Sequence, residues 1–474
     1  MIGCCGKVLT QQAGQVETIW EAVFPELLRS LPKDLAQLDE VLDAPAILKR
    51  FERHWGRANL KVGRPSIAMA TYLRLMVLKH RCGWGYERLV EQVADSFHLR
   101  RFCRISIMAK VPDESTIRKL TRRLGPELTD DVIRSLITLA ITERGFKARA
   151  IRCDSTVQES DVSYPTDCGL AADAVRVLAR SGRKLRAVIP GLTKRVRDRS
   201  RAAARRVRDL NRSLRRRTGE AKQEVQRLTE EVGALAKASV GQARRLLVEA
   251  KEATSDQRLR PRELRAIAGL EEMIGLSAKV VEQIRQRFAG EPITDRLVSL
   301  FDPDARPIRK GKKARPNEFG QIAQYTELTA STRRGARGLL LPPKVAIGNP
   351  HENLLLPHTV AELTALGLKP VEAVFDQGFT RKATTAAMEP VGSTIFIAGS
   401  RSNHGSRRTR KRLAAHRVGC EGRISHVKRE YGAGRSRLKG DQGAKTWAGW
   451  STLAYNADTL ARLLNKTATS PEEA

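Results

Sequence analysis

Apolar positions in the first third of the chain recur at helical spacing. Ile67 to His80 is an apolar run that predicts a helix, and Gly83-Trp84-Gly85 breaks it. A second helix is predicted over Tyr86 to Phe97, where Leu89, Val90, Val93, Ala94 and Phe97 share a face. Asp113 is a good N-cap for a third, Ser115 to Leu124. Gly63-Arg64-Pro65 opens this block, read as a helical domain over 61–145. Before it, 1–60 holds short amphipathic pieces such as Val16 to Phe24, an N-terminal helical arm.

At 146–157 the pattern changes. Partial alternation predicts a strand with Asp154 at its C-terminal end. Residues 171–299 then carry helix formers and almost no strand signal, and the heptad-like Val225, Leu228, Val232 and Leu235 suggest a helical hairpin. From about 300 the pattern is α/β. Arg315 to Leu328 and Gly338 to Gly348 read as adjacent strands with a turn around Arg333–Gly335. Pro357 to Leu366 reads as a helix. Val371 to Phe375 is a short buried strand ending at Asp376. A helix from Arg381, a strand Ser393 to Ala398, a basic loop Arg401 to Arg412, a helix Arg417 to Gly432 and an amphipathic helix Trp447 to Leu464 follow. The expected organisation is an α/β core with a mixed sheet, 146–170 and 300–466, interrupted by a helical insert, 171–299. Residues 467–474 form a frayed tail.

Charge adds a partner. The 474 residues are 41% hydrophobic and hold 86 Lys and Arg against 52 Asp and Glu, a net +34. Such an excess favours a polyanion. No stretch approaches the roughly 20 apolar residues of a membrane span, and no signal peptide is evident at the start. Seven cysteines, without a C-x-x-C spacing, point away from a disulfide scaffold or zinc knuckle and toward reduced thiols in a cytoplasmic protein; a DNA partner would make it nucleoid-associated. Lys194 to Arg217 carries twelve cations and two acids, too few acids for i,i+4 pairing. Arg205, Arg206, Arg215 and Arg216 there are therefore assigned to DNA phosphates. Arg118, Arg122 and Arg123 point outward from the third helix, either as in a helix-turn-helix-like binder of double-stranded DNA or as solvated arginines of an ordinary helical bundle.

The candidate chemistry lies in the carboxylates. On the helix after Arg417, Glu421 lies about 40° and Lys428 about 20° from Arg417, with Glu430 roughly 220° round. Asp154 and Asp376 end predicted strands, where α/β sheets place their sites. Rivals are Asp161 and Asp167 for the first, Asp302 and Asp304 for the second; the hydrophobic strands just before Asp154 and Asp376 favour those two. Three carboxylates from distant sequence can hold two Mg²⁺, or Mn²⁺ in their place, for in-line phosphoryl transfer. Arg417 and Lys428 are then phosphate contacts. His351, His404, His416 and His426 lack metal spacing, and no base pattern makes Ser155 a nucleophile.

Asp154-Ser155-Thr156 with Tyr164-Pro165-Thr166-Asp167, then Phe375-Asp376-Gln377-Gly378-Phe379, then Glu421-x6-Lys428 with Arg417 four residues earlier, resembles the DDE transposases of bacterial insertion sequences. Gly63 through Gly125, including Pro112-Asp113-Glu114-Ser115-Thr116, resembles their helical N-terminal domain. The long basic insert resembles that of the ISNCY-type subgroup. The resemblance implies an RNase H-like catalytic core and Mg²⁺-dependent cleavage and strand transfer at inverted repeats. It also implies a homodimer or larger assembly on DNA. Two positions depart from the family pattern: Ala414 stands where a Tyr is frequent, and Gln377 where a basic residue is. The alternatives are a catalytically inactive DNA-binding repressor derived from such an enzyme, and a nuclease sharing its core.

Overall fold

The computed structural model describes residues 30–55, 67–216, 218–256, 258–309, 317–333 and 337–468. The arm segment Val16–Phe24, the Gly63-Arg64-Pro65 opening and the centre of the Arg333–Gly335 turn lie outside them. The chain forms two compact units, Met1–Asp161 with Gln321–Ala474, and Val162–Gly320.

Helices open the first unit. α1 (Lys33–Asp43) and α2 (Pro45–Trp55) bury one stripe each, Leu38 and Leu42 on the first and Ile47, Phe51 and Trp55 on the second. α3 (Met69–Arg81) is buried from Met69 to His80 on every side, so it is the core helix of this region. The second predicted helix is two, α4 (Tyr86–Asp95) and α5 (Phe97–Phe102). They part at Ser96, whose backbone is extended and whose hydroxyl accepts from the Leu99 amide at 3.3 Å. Asp113 caps α6 (Glu114–Arg144), accepting from the Ser115 amide at 2.9 Å. α6 runs on past Leu124 through a kink at Gly125, where φ is 70°, because Leu128, Val132, Ile133 and Leu136 keep burying one face.

β1 (Ala150–Ser160) does not end at Asp154. It continues for six more residues because Glu159 and Ser160 find parallel partners in Arg435 and Ser436. The second unit follows: α7 (Asp167–Val188), α8 (Ser200–Ser213), α9 (Gly219–Glu252), α10 (Pro261–Phe288) and β2 (Arg306–Arg309). Leu178, Leu185, Leu246 and Leu270 form one of its cores, and Val175, Leu228, Val232 and Val280 another.

β3 (Asn317–Thr329) pairs antiparallel with β2 through its first residues and with β4 (Leu339–Leu340) and β5 (Lys344–Ile347) through its later ones. A 3₁₀ turn (Glu352–Leu354), α11 (Leu356–Ala365), β6 (Glu372–Phe375), α12 (Arg381–Met388), β7 (Thr394–Ile397), α13 (Arg407–Glu430), β8 (Arg435–Ser436) and α14 (Gly440–Ala468) complete the chain. In the first unit the sheet order is β3-β1-β6-β7, with β6 parallel to both neighbours. The fold is mixed α/β. Half of the expected basic loop is helix: Ser406 accepts from the Thr409 amide at 3.1 Å and starts α13 at Arg407. α14 begins seven residues before Trp447 and reaches Ala468, inside the stretch expected to fray.

Helices and sheet of this unit share one core. Trp55, Tyr72 and Trp450 meet within it, at ring separations of 5.5 Å and 5.8 Å, and Ile151, Phe375 and Leu453 continue it to the sheet. The five cysteines among the described residues are free. No helix among the described residues is long and apolar enough to cross a membrane.

Candidate active site

β1 and β6 run parallel in the register Ala150–Glu372 to Cys153–Phe375. Asp154 and Asp376 each follow that last pair directly, so two carboxylates emerge side by side where β6 stops. β6 stops because the chain turns back: the Phe379 amide donates to the Asp376 carbonyl at 3.2 Å. α13 packs on β1 and β6 through Cys420, Ile424 and Val427, which brings its Arg417–Glu421 stripe to the same place. Arg417 Nη1 donates to Asp376 Oδ1 at 2.8 Å, and Nη2 to Glu421 Oε1 at 2.8 Å. Burial works against the Arg417 charge, but the Glu421 hydrogen bond and the charges of Asp376, Glu421 and Asp154 outweigh it and raise its pKa. All three acids therefore act on one guanidinium. Asp154 and Asp376 are half-buried and Glu421 is exposed; Asp154 Oδ1 accepts from the Ser155 amide at 2.7 Å.

Hard carboxylate oxygens suit a divalent cation such as Mg²⁺. With Arg417 between Asp376 and Glu421, no group of three or more His, Cys, Asp or Glu side chains among the described residues is arranged to hold a metal. Arg417 is thus a counter-ion to the acids here, where the sequence assigned it to phosphate.

A buried ionic layer supports the site. Glu327 on β3 accepts from Arg152 Nε at 2.8 Å, from Arg423 Nε at 2.9 Å and from the Gly338 amide at 2.8 Å. Arg152 precedes Asp154 by two residues, and Arg423 follows Glu421 by two. Arg152 also donates to the His416 carbonyl at 2.9 Å. α13 is fixed against β1 by these contacts, so the position of Glu421 relative to Asp154 is set from beneath. Gly419 permits the close approach: a Cβ there would lie 2.0 Å from Arg152 Nη1. Burial, aided by the Arg152 charge, pushes the His416 pKa down to about 4.

One acid was missed. Ser155 Oγ donates to Glu352 Oε1, and a Cβ on Gly378 would meet Glu352 Oε2 at 2.6 Å. Glu352 therefore stands between the ends of the two acid-bearing segments. It lies on a 3₁₀ turn with no strand or stripe around it, so neither signal that found the other acids applies.

Lys428 Nζ donates to Thr156 Oγ1 at 3.1 Å and the Val157 carbonyl at 2.9 Å, beside β1 and beyond the three acids. Glu430 is exposed. Asp161 lies 3.9 Å from Arg435, while Asp167 is buried and paired with Arg287 and Arg296 at 2.8 Å and 2.9 Å. Arg118 pairs with Glu114 and lies 5.7 Å from the Tyr86 ring; Arg122 and Arg123 are exposed. Arg205, Arg215 and Arg216 are exposed, but Arg206 pairs with Glu231 on α9. Counting i,i+4 partners along one helix misses such an acid on the next.

A family model described as a transposase domain (DUF772) matches residues 25–123. The chain is 29% identical over 164 residues to an uncharacterized protein, ORF8 in the nfe locus of Rhizobium meliloti; the match covers 33% of this chain and 79% of that protein. No solved structure gives a significant match.

Proposed function

We propose that this chain is a DDE-type DNA transposase with an RNase H-like core, cleaving DNA at the inverted-repeat ends of an insertion sequence and joining them to target DNA. The observation that carries this reading is the convergence of Asp154, Asp376 and Glu421, from two adjacent parallel strands and a late helix, on one guanidinium. A transposase domain over residues 25–123 supports it independently.

In this reading Asp154, Asp376 and Glu421 would hold two Mg²⁺, or Mn²⁺, once Arg417 has left them. Metal bound there would supply Lewis-acid activation of the attacking oxygen and charge stabilisation at the leaving one. Arg417 neutralises the acids until its two ion pairs give way, and then faces the DNA phosphate. Lys428, tied to β1, holds the backbone further along. Arg122 and Arg123 on α6, and Arg205, Arg215 and Arg216 on α8 and just beyond it, supply sequence-independent contacts to double-stranded DNA. The working form is a homodimer or larger on the DNA ends.

The test is cleavage of end-containing DNA in Mg²⁺. Asp154→Asn, Asp376→Asn and Glu421→Gln each abolish cleavage and leave DNA binding in place. Cleavage that survives all three substitutions overturns the reading.

A further inference from the structure

A cavity of about 360 Å³ lies beside β1 and the C-terminal end of α13. Its wall includes Lys79, Trp84, Lys428, Arg435, Arg437 and Trp447. One carboxylate, Glu159, faces these four cations, and Arg435 engages it at 2.9 Å. Lys79 is the telling member. It is 1% exposed, and its ammonium lies 3.8 Å from the Trp447 ring centre and 4.7 Å from that of Tyr86. Burial pulls its pKa well down, and the charge that bears on it is another cation, Arg437. With aromatic faces and, among the described residues, no acid beside it, a buried ammonium is costly to keep, and an incoming anion removes that cost. Arg437 reaches inward because Gly85 leaves room: a Cβ there would lie 3.0 Å from its Nη1.

We infer that this cavity seats one nucleotide of the DNA strand beside the cleaved bond, its phosphate among Lys79, Lys428, Arg435 and Arg437 and its base against Trp84. Trp447 is committed elsewhere: one face carries Lys79, and its indole nitrogen donates to the Gly432 carbonyl at 2.7 Å. Lys428 touches β1 at Thr156 and Val157, and Glu159 lies on it, so the two stand two to five residues beyond Asp154, about 7 to 17 Å along a strand. The cavity is thus outside the acid cluster but in line with it. The inference rests on the reading of the chain as a DNA-end enzyme.

The test measures binding of a labelled five-nucleotide DNA strand to the full chain in EDTA, as a function of salt. Arg437→Ala, an exposed position, lowers the slope of log affinity against log salt by about 0.7. Trp84→Ala weakens binding roughly tenfold with the slope unchanged. Lys79→Met, which keeps the stem and the packing, lowers the slope as Arg437→Ala does. No binding by the unaltered chain, or affinities and slopes unchanged in Arg437→Ala and Trp84→Ala, overturns the inference. So does inorganic phosphate that displaces the strand as well as unlabelled strand does, since the site is then one for anions alone. The two readings fail separately. If cleavage survives loss of the three acids while these variants still lose the strand, the function falls and the nucleotide site stands. If the acids are essential and these variants bind as the unaltered chain does, the nucleotide site alone falls.

Discussion

The guanidinium of Arg417 stands 2.8 Å from Asp376 across 41 residues of sequence. The same group binds Glu421, so a cation entering between these acids competes with a residue already there. Arg417→Gln removes the competitor. The expected result is Mn²⁺ binding tighter by about fivefold, on the order of 1 kcal/mol for a partly exposed pair, together with slower strand cleavage because a phosphate contact is lost. Titration calorimetry and a cleavage time course read the two effects. Weaker Mn²⁺ binding in the variant contradicts the competition.

Glu327 is 1% exposed, and two guanidiniums depend on it. Glu327→Gln keeps the shape and removes the charge, leaving Arg152 and Arg423 uncompensated beneath the site. Breaking a buried pair in this way costs about 3 kcal/mol. Urea unfolding monitored by circular dichroism measures it, and a loss within 0.5 kcal/mol, the scale of an ordinary surface change, refutes the structural role. Cleavage by the folded fraction falls too, since α13 is no longer fixed against β1.

The acids differ in how they could be read from sequence. Asp376 was legible because an apolar run, Val371 to Phe375, stops at it before a glycine. Asp154 was found although β1 passes through it; what ends there is the pairing with β6, and only the register shows that. Glu421 followed from helix arithmetic, but the same arithmetic could not say that Arg417 would turn to the acids. Glu352 was invisible because its partner Ser155 is 197 residues away. Arg152 and Glu327 were hidden for another reason: β1 and β3 are covered on both faces, so charged positions that alternation assigns to solvent are inside.

His416 gives the site a pH dependence. It is buried on α13 beside Arg152, Glu327, Glu372 and Arg412, and its pKa is about 4 when folded against 6.5 ordinarily. The unfolded chain therefore binds the proton more readily between those values. The His416 contribution to stability is constant above pH 6.5 and is lost as pH drops from 6.5 to about 4, by no more than ~3 kcal/mol. Denaturant titrations at pH 7 and pH 5 show the loss, and His416→Gln flattens it. An equal slope in that variant assigns the acid sensitivity to other groups.

Gly419→Ala sets two effects against each other. In a helix interior alanine is favoured over glycine by about 1 kcal/mol, so propensity alone predicts a more stable chain. The added Cβ, however, would stand 2.0 Å from Arg152 Nη1. Arg152 has nowhere to go: it is 3% exposed, with one nitrogen on Glu327 and another on the His416 carbonyl. Either that network breaks or α13 lifts from β1, and overpacking of this kind costs about 1–3 kcal/mol. The clash wins. Gly419→Ala melts at lower temperature and cleaves more slowly, since a lifted α13 carries Glu421 away from Asp154. Thermal melts and cleavage rates decide it; a variant that is more stable and fully active shows that α13 is not held through Arg152.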